Sequence, residues 1–159
     1  MADDDIRFYI SEIVLAVDRL HNMNIIYRDL KPENILIDST GHVKLIDFGF
    51  AKILKDIWTD RAYTNCGTVG YCAPEVLLNE VGHDYKCDIW SIGILICEMI
   101  GGFIPFQGKN EASNPKLIMD RCRSGKLNLP KNMQGPARDL VRMLLRDDPS
   151  MRPDLGMVM

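Results

Sequence analysis

The sequence predicts a mainly α-helical domain with one small β-hairpin. Three observations support this fold class: a stretch near the N-terminus with apolar residues at helical spacing, a later apolar segment long enough for a buried helix, and two short apolar runs joined by a turn sequence. The chain has 159 residues, of which 47% are hydrophobic and 26% charged. This length and composition suit one globular domain with its own core.

The first helix is predicted from about Asp4 to Asn22. Its aspartates at positions 3–5 stand where carboxylates favour the positive end of the helix dipole. The apolar residues that recur at helical spacing are Ile6, Ile10, Ile13, Val14, Val17 and Leu20. They define one face for packing against a core.

The β-hairpin is predicted from two apolar runs, Asn34 to Ile37 and His42 to Ile46. Between them lies the sequence Asp38-Ser39-Thr40-Gly41, whose residue types favour a tight turn.

The rest of the chain is predicted to contain a long loop followed by three helices. Residues 48–74 have mixed polarity and little periodicity, and long loops inside compact domains are usually functional. The segment from Asp88 to Ile100 is apolar nearly all round, which favours a core helix. Two further helical patterns lie around residues 115–123 and 136–146.

Charge and cysteine content exclude several classes of partner and location. A net charge of −3 gives no reason to expect a nucleic-acid partner. The most apolar stretch carries Glu98 near its middle, which disfavours a membrane span, and the acidic start is unlike a secretory signal. The five cysteines have no metal-site spacing. We therefore expect a reduced intracellular protein of the cytoplasm or nucleus, with no membrane partner.

Three short motifs occur in a specific order. The sequence Tyr-Arg-Asp-Leu-Lys-Pro-Glu-Asn occupies residues 27–34, Asp-Phe-Gly occupies 47–49, and Ala-Pro-Glu occupies 73–75, with the predicted hairpin between the first two. In this order the chain resembles the protein kinase superfamily over nearly its whole length. The resemblance implies the C-terminal lobe of the protein kinase fold.

The resemblance also implies a phosphoryl-transfer site that uses ATP and Mg²⁺ as cofactors. Asp29 would accept the proton of the substrate hydroxyl, and Lys31 would neutralise charge on the transferred group. Asn34 and Asp47 would bind magnesium through oxygen atoms, and Gly49 would permit the turn that aims Asp47. Leu36 would lie beneath the adenine ring.

Other residues resemble particular kinase groups. Lys31 and Thr68 match residues by which the chain resembles serine/threonine kinases. In those kinases such a threonine contacts the catalytic aspartate and lysine. The chain resembles the AGC group of kinases at Tyr27, in the segment 47–52 and in Arg-Phe-Tyr at 7–9. The cyclic-nucleotide-dependent kinases are the expected nearest relatives. By the same resemblance Glu33 and Glu98 would bind arginine upstream of the target serine. The alternative is that these two glutamates are solvated or structural carboxylates.

Residues 48–74 resemble a kinase activation segment. Thr64 would be the phosphorylated threonine, with Arg28 and Lys52 binding its phosphate, although an ordinary loop threonine is the alternative reading. The resemblance gives structural roles to further residues. Glu75 would pair with Arg152, Asp88 would hold the backbone of the catalytic loop (residues 27–34), and Tyr27 and Phe48 would stack in a hydrophobic spine.

The position of these motifs within the chain leads to an expectation about domain content. The sequence starts inside the helix before the catalytic loop, so residues 1–159 are expected to be a partial kinase domain without the nucleotide-binding lobe. A fragment, a partial gene product and a degenerate paralogue all fit this pattern. Two functions follow: an ATP-dependent serine/threonine kinase acting on protein substrates, with a regulatory subunit as a further partner, or a catalytically incomplete module that binds proteins.

Overall fold

The computed structural model describes residues 2–78, 81–106, 115–124 and 126–158. Its α-helices are α1 (Asp3–His21), α2 (Pro74–Leu78), α3 (Lys86–Gly101), α4 (Pro115–Arg123) and α5 (Gly135–Leu144). Its strands are β1 (Ile25–Ile26), β2 (Ile35–Ile37), β3 (Val43–Leu45) and β4 (Lys52–Ile53), and single 3₁₀ turns cover Pro32–Asn34, Pro149–Met151 and Leu155–Met157. The predicted fold class, mainly α with a small hairpin, is confirmed.

Helix α3 forms the centre of the core and contacts both α1 and α5. Its residues 87–97 are all buried, which agrees with a sequence that is apolar nearly all round. Gly93 lies where α3 meets the end of α5, and a Cβ there would stand 2.8 Å from Cδ2 of Leu145. The absence of a side chain at Gly93 therefore permits the close approach of the two helices.

The predicted hairpin is present as strands β2 and β3. They pair antiparallel, with Ile35 opposite Leu45 and Ile37 opposite Val43. Glu12 of α1 anchors the hairpin because its carboxylate accepts a hydrogen bond from the Val43 N–H at 2.7 Å and pairs with the His42 ring. This anchor fixes the hairpin, and hence the residues at its two ends, on the helical core.

The segment after the hairpin contains structure that the sequence did not predict. Strand β4 pairs antiparallel with β1, with Ile25 opposite Ile53. Beyond it Ile57 is only 2% exposed, and its N–H donates to Oδ1 of Asn24 at 3.1 Å. Strands of two residues are too short to show a sequence period, so their formation depends on tertiary contacts.

The described helices agree with their predicted positions to within a few residues, but helix α2 was not predicted. It begins at Pro74, where the sequence indicated only the end of a loop, and it has five residues. None of the helices in the described ranges is both long and apolar enough to cross a membrane.

Candidate active site

Asp29 lies at the centre of a compact hydrogen-bond network. Its Oδ2 is 2.8 Å from Nζ of Lys31 and also accepts a bond of 2.8 Å from Nδ2 of Asn34. Its Oδ1 accepts a bond of 2.8 Å from Oγ1 of Thr68, and the same Oγ1 lies 2.8 Å from Lys31 Nζ. The structure thus brings together three residues of the catalytic loop and one of the activation segment.

The charge of Lys31 is favoured by this arrangement. Its hydrogen bond to Asp29 raises the pKa of the ammonium group, while partial burial lowers it. A cation that is held within 3 Å of a carboxylate stays protonated, and it remains oriented by the Thr68 hydroxyl.

The backbone of the catalytic loop is fixed by Asp88, a fully buried residue in the first turn of α3. Its carboxylate accepts the N–H groups of Tyr27 at 2.9 Å and Arg28 at 2.8 Å. Its Oδ2 also lies 2.8 Å from Nε2 of the buried His21. A buried carboxylate needs such partners, and here they hold the residues just before Asp29. Arg28 adopts a left-handed conformation, with φ of 68°.

The two predicted metal ligands lie at the two ends of the hairpin. The Asn34 carbonyl accepts the Ile46 N–H at 2.9 Å, which brings the residue before β2 next to the residue before Asp47. The amide nitrogen of Asn34 donates to Asp29, so its side-chain oxygen faces elsewhere. Asp47 has φ of 57°, and its Oδ1 accepts the Gly49 N–H at 3.0 Å.

These donor atoms fit a magnesium ion. Mg²⁺ binds carboxylate and amide oxygens and keeps several waters, so one or two protein ligands suffice. Asp47 is exposed, and its Oδ2 has no partner within the part of the chain that the structure describes. Within the same described ranges, no three His, Cys, Asp or Glu side chains cluster as metal ligands.

The aromatic residues of the predicted spine are in contact. The Tyr27 and Phe48 rings pack edge to face with centroids 5.4 Å apart, and the Tyr27 hydroxyl donates to the Ile46 carbonyl. Burial raises the pKa of Tyr27, which keeps the hydroxyl protonated as a donor. Leu36, the residue predicted to lie beneath adenine, is 51% exposed on β2.

The activation-segment residues are only partly brought together. Arg28 donates from Nε to the Phe50 carbonyl at 2.7 Å, and its Nη1 lies 3.3 Å from Nε2 of His83. Lys52 is exposed on β4, and Thr64 is exposed as well. Among the described residues no hydrogen bond joins Thr64 to Arg28 or Lys52.

Glu75 and Arg152 form a two-pronged ion pair. Nη1 and Nη2 of Arg152 lie 2.6 and 2.9 Å from the two carboxylate oxygens of Glu75. The remaining guanidinium hydrogens donate to the carbonyls of Arg146, Lys86 and Asp147. This pair ties the end of the activation segment to the C-terminal part of the lobe.

The predicted arginine-binding carboxylates differ in their surroundings. Glu33 is exposed in the 3₁₀ turn that follows Lys31. Glu98, on α3, accepts a hydrogen bond of 2.7 Å from the hydroxyl of Tyr71, and burial followed by this bond raises the pKa of Tyr71.

Three residues of the site were not singled out by sequence: His21, Tyr71 and His83. The signal for His21 was present, because it lies four residues after Val17 and continues the buried face of α1. No sequence signal marks Tyr71 or His83, whose contacts join residues far apart in the chain.

Two grooves in the described part of the surface lie away from these side chains. One of about 490 Å³ is lined by residues of α1, α3 and the segment 132–140, and another of about 500 Å³ is lined by Trp58, Tyr85 and their neighbours. Neither of these two grooves includes Asp29.

Fold and site together define a protein kinase lobe. Residues 1–159 match the protein kinase domain family, and the chain belongs to it.

Among its relatives are the ribosomal protein S6 kinases. The chain is 46% identical over 154 residues to ribosomal protein S6 kinase alpha-6 of Danio rerio and to alpha-2 of Homo sapiens. Each alignment covers 97% of this chain and 20% of the relative. The chain therefore spans about a fifth of the length of these proteins.

Proposed function

We propose that residues 1–159 form the C-terminal lobe of a serine/threonine protein kinase that transfers a phosphoryl group from ATP to protein substrates. The observation that carries this proposal is the network around Asp29, which holds a carboxylate, an ammonium and a hydroxyl within hydrogen-bond distance of each other. A module that only binds proteins has no need of this arrangement, and the proposal therefore favours the enzyme.

Asp29 would orient the substrate hydroxyl and accept its proton. Asn34 and Lys31 fix the position of Oδ2, and Thr68 fixes Oδ1, so the carboxylate has one orientation before substrate binds. Such preorganisation matters because phosphoryl transfer depends on positioning and charge neutralisation. Lys31 would place its positive charge beside the transferred group.

The same proposal assigns the cofactors to residues of this chain. Asn34 and Asp47 would hold Mg²⁺, which supplies charge neutralisation for the phosphates when bound. Leu36 would contribute an apolar surface to the adenine ring. Asn34 would thereby serve two purposes, since its amide nitrogen orients Asp29 while its oxygen is left for the metal.

The proposal also includes the kinase subgroup, a regulatory partner and the cellular location. The similarity to ribosomal protein S6 kinases supports an AGC-type kinase. Special closeness to the cyclic-nucleotide-dependent kinases stays a prediction, as do a regulatory subunit and an intracellular location in cytoplasm or nucleus.

The experiment that tests the proposal joins this lobe to the nucleotide-binding lobe of an AGC kinase and measures transfer to a serine peptide. Asp29→Ala should lower kcat by about two to four orders of magnitude with little change in ATP affinity, because the base does not bind the nucleotide. Asp47→Ala should lower turnover and also weaken magnesium-dependent nucleotide binding.

Asp139→Asn is the matched control, since this carboxylate is exposed on α5 away from the site. It should leave both constants unchanged. Near-normal turnover of Asp29→Ala would show that the assignment of the base is wrong.

A further inference from the structure

His83 joins the activation segment to the catalytic loop. Its backbone forms an isolated antiparallel bridge with Ala62, in which both N–H groups donate, at 2.8 and 2.9 Å. Its side chain is fully buried, and Nε2 lies 3.3 Å from Nη1 of Arg28. Arg28 directly precedes Asp29 and also donates to the Phe50 carbonyl. His83 thus contacts two segments that are distant from it in sequence, and Arg28 links it to a third.

The hydrogen-bond geometry fixes the protonation of the His83 ring. Arginine only donates, so Nε2 must accept from Arg28 and the ring proton must lie on Nδ1. Burial and the charge of Arg28 lower the pKa of His83 to about 4, Asp88 and Asp84 oppose this with smaller effects, and Arg61 lowers the pKa slightly further. The ring is therefore neutral at physiological pH, as an acceptor requires.

The buried Nδ1–H group of His83 is energetically unfavourable, and the contact with Arg28 explains why the proton is nevertheless there. Within the described part of the chain, Nδ1 is buried and has no hydrogen-bond partner. An unpaired buried N–H is unfavourable, and the opposite tautomer would place two donors face to face at Nε2. The contact with Arg28 thus selects the Nδ1-protonated tautomer, although its Nδ1–H group stays unpaired.

We infer that His83 is a positioning residue for the catalytic loop, acting through Arg28. By accepting from the guanidinium, His83 keeps Arg28 directed toward the activation segment while Asp88 holds the Arg28 backbone. The activation segment and Asp29 are then linked without a negative charge being added to the activation segment. This inference rests on the proposed kinase function for its effect on turnover, but the structural link itself does not.

The first test measures the link directly on the chain as it stands. Nitrogen-15 chemical shifts of the His83 ring at neutral pH should show a neutral ring protonated at Nδ1. His83→Leu removes the acceptor at similar volume, and it should speed hydrogen exchange of the Ala62 amide by about tenfold. His83→Gln supplies a new acceptor oxygen and should restore exchange to within about threefold of the original.

Val81→Ala is the matched control, because Val81 is an exposed residue two positions away. It should leave the Ala62 amide and the ring signals of His83 unchanged. A charged ring, a proton on Nε2, or equal exchange in the Leu and Gln variants would overturn the inference.

The second test places the same variants in the form joined to a nucleotide-binding lobe. His83→Leu should lower kcat by about tenfold with an unchanged KM for ATP, and His83→Gln should recover most of the loss. If the original protein transfers no phosphate, the proposed function fails while the exchange and tautomer results still decide the link. If the original is active and His83→Leu is equally active, the positioning role is wrong.

Discussion

Glu98 is held through one of its two carboxylate oxygens. Tyr71 donates to Oε2, whereas Oε1 has no partner among the residues described by the structure. A carboxylate in this state is fixed in direction and retains an acceptor for a guanidinium. Glu33 differs because it is exposed and not held by a neighbouring side chain in the described ranges.

This difference at the residue scale leads to a prediction about specificity. In the form joined to a nucleotide-binding lobe, peptides with arginine two and three residues before serine should be preferred over acidic or proline-directed peptides. Glu98→Gln should reduce that preference by about tenfold, because it removes a charge-assisted bond. A positional peptide library measures the preference. Indifference to upstream arginine, or an unchanged profile for Glu98→Gln, would contradict the prediction.

The pair of Glu75 and Arg152 gives a second residue-scale prediction. The Arg152 side chain is fully buried, and removing it leaves Glu75 and several carbonyls without their donor. Arg152→Leu should therefore lower the free energy of unfolding by about 3–5 kcal/mol, the usual cost of breaking a buried pair. Urea denaturation measures this change.

The matched control is Arg61→Gln. Arg61 pairs with Asp84 at 3.3 Å, but its side chain is 44% exposed. Solvent screening limits such a pair to about 1 kcal/mol or less. Equal losses in the two variants would show that burial of the Glu75–Arg152 pair does not matter.

At the scale of elements, the contact between Glu12 and the hairpin makes the hairpin sensitive to acid. The Val43 N–H and then the His42 ring lower the pKa of Glu12 from its ordinary value of 4.5. Because the pKa of Glu12 is lowered in the folded protein, the contribution of Glu12 to stability is complete above about pH 4.5. This contribution is lost as the pH falls through the lowered pKa of the folded protein.

Hydrogen exchange of the Val43 amide should therefore accelerate as pH falls below that range, after correction for the intrinsic pH dependence of exchange. Glu12→Gln should remove this acceleration, since the amide side chain does not titrate. Asp38 in the turn also has a lowered pKa, because of bonds from Thr40 and His42, so the comparison with Glu12→Gln separates the two carboxyl groups. The same acceleration in Glu12→Gln would assign the effect to Asp38.

The elements differ in how far the sequence predicted them. Helices α1 and α3 were predicted because their burial follows a local pattern in the chain. The hairpin was predicted because a turn sequence separates its strands. The ladder of β1 and β4 was missed because its two-residue strands are too short to show a sequence period, and contacts such as that between Ile57 and Asn24 join residues far apart in the chain.

The same distinction applies to the candidate site. Asp29, Lys31, Asn34 and Asp47 were predicted from motifs, and in the structure Asp29 contacts Lys31 and Asn34, while Asn34 bonds to the residue before Asp47. His83 and Tyr71 were missed because their contacts arise from the chain folding back on itself. Contacts of this kind have no local signature.

At the scale of the whole molecule, the segment from β2 to β4 leaves several large apolar side chains exposed. Five large side chains from β2 to β4 are between 45% and 73% exposed. They are Leu36, Ile37, Phe48, Phe50 and Ile53. Large apolar side chains left exposed in this number favour association with another surface.

The chain as it stands should therefore self-associate, and sedimentation velocity should show a concentration-dependent increase in mass. Ile37→Lys should reduce this association, because it places a charge in the apolar surface. Val81→Lys, which adds the same charge at another exposed position, should have no such effect. Equal association in all three proteins would place the contact elsewhere.

The same open surface predicts weak nucleotide binding by residues 1–159. Leu36 offers one face to an adenine ring, and Asn34 and Asp47 offer metal ligands, but no second apolar wall lies above them in the described structure. Each tenfold loss of affinity corresponds to about 1.4 kcal/mol, and an adenine ring covered on one face only should lose several such steps. We expect a Kd for magnesium–ATP of about 1 mM or weaker and no measurable phosphoryl transfer. Calorimetry and a radiolabel transfer assay measure the two quantities, and micromolar binding or clear transfer by the purified chain would show that this lobe suffices alone.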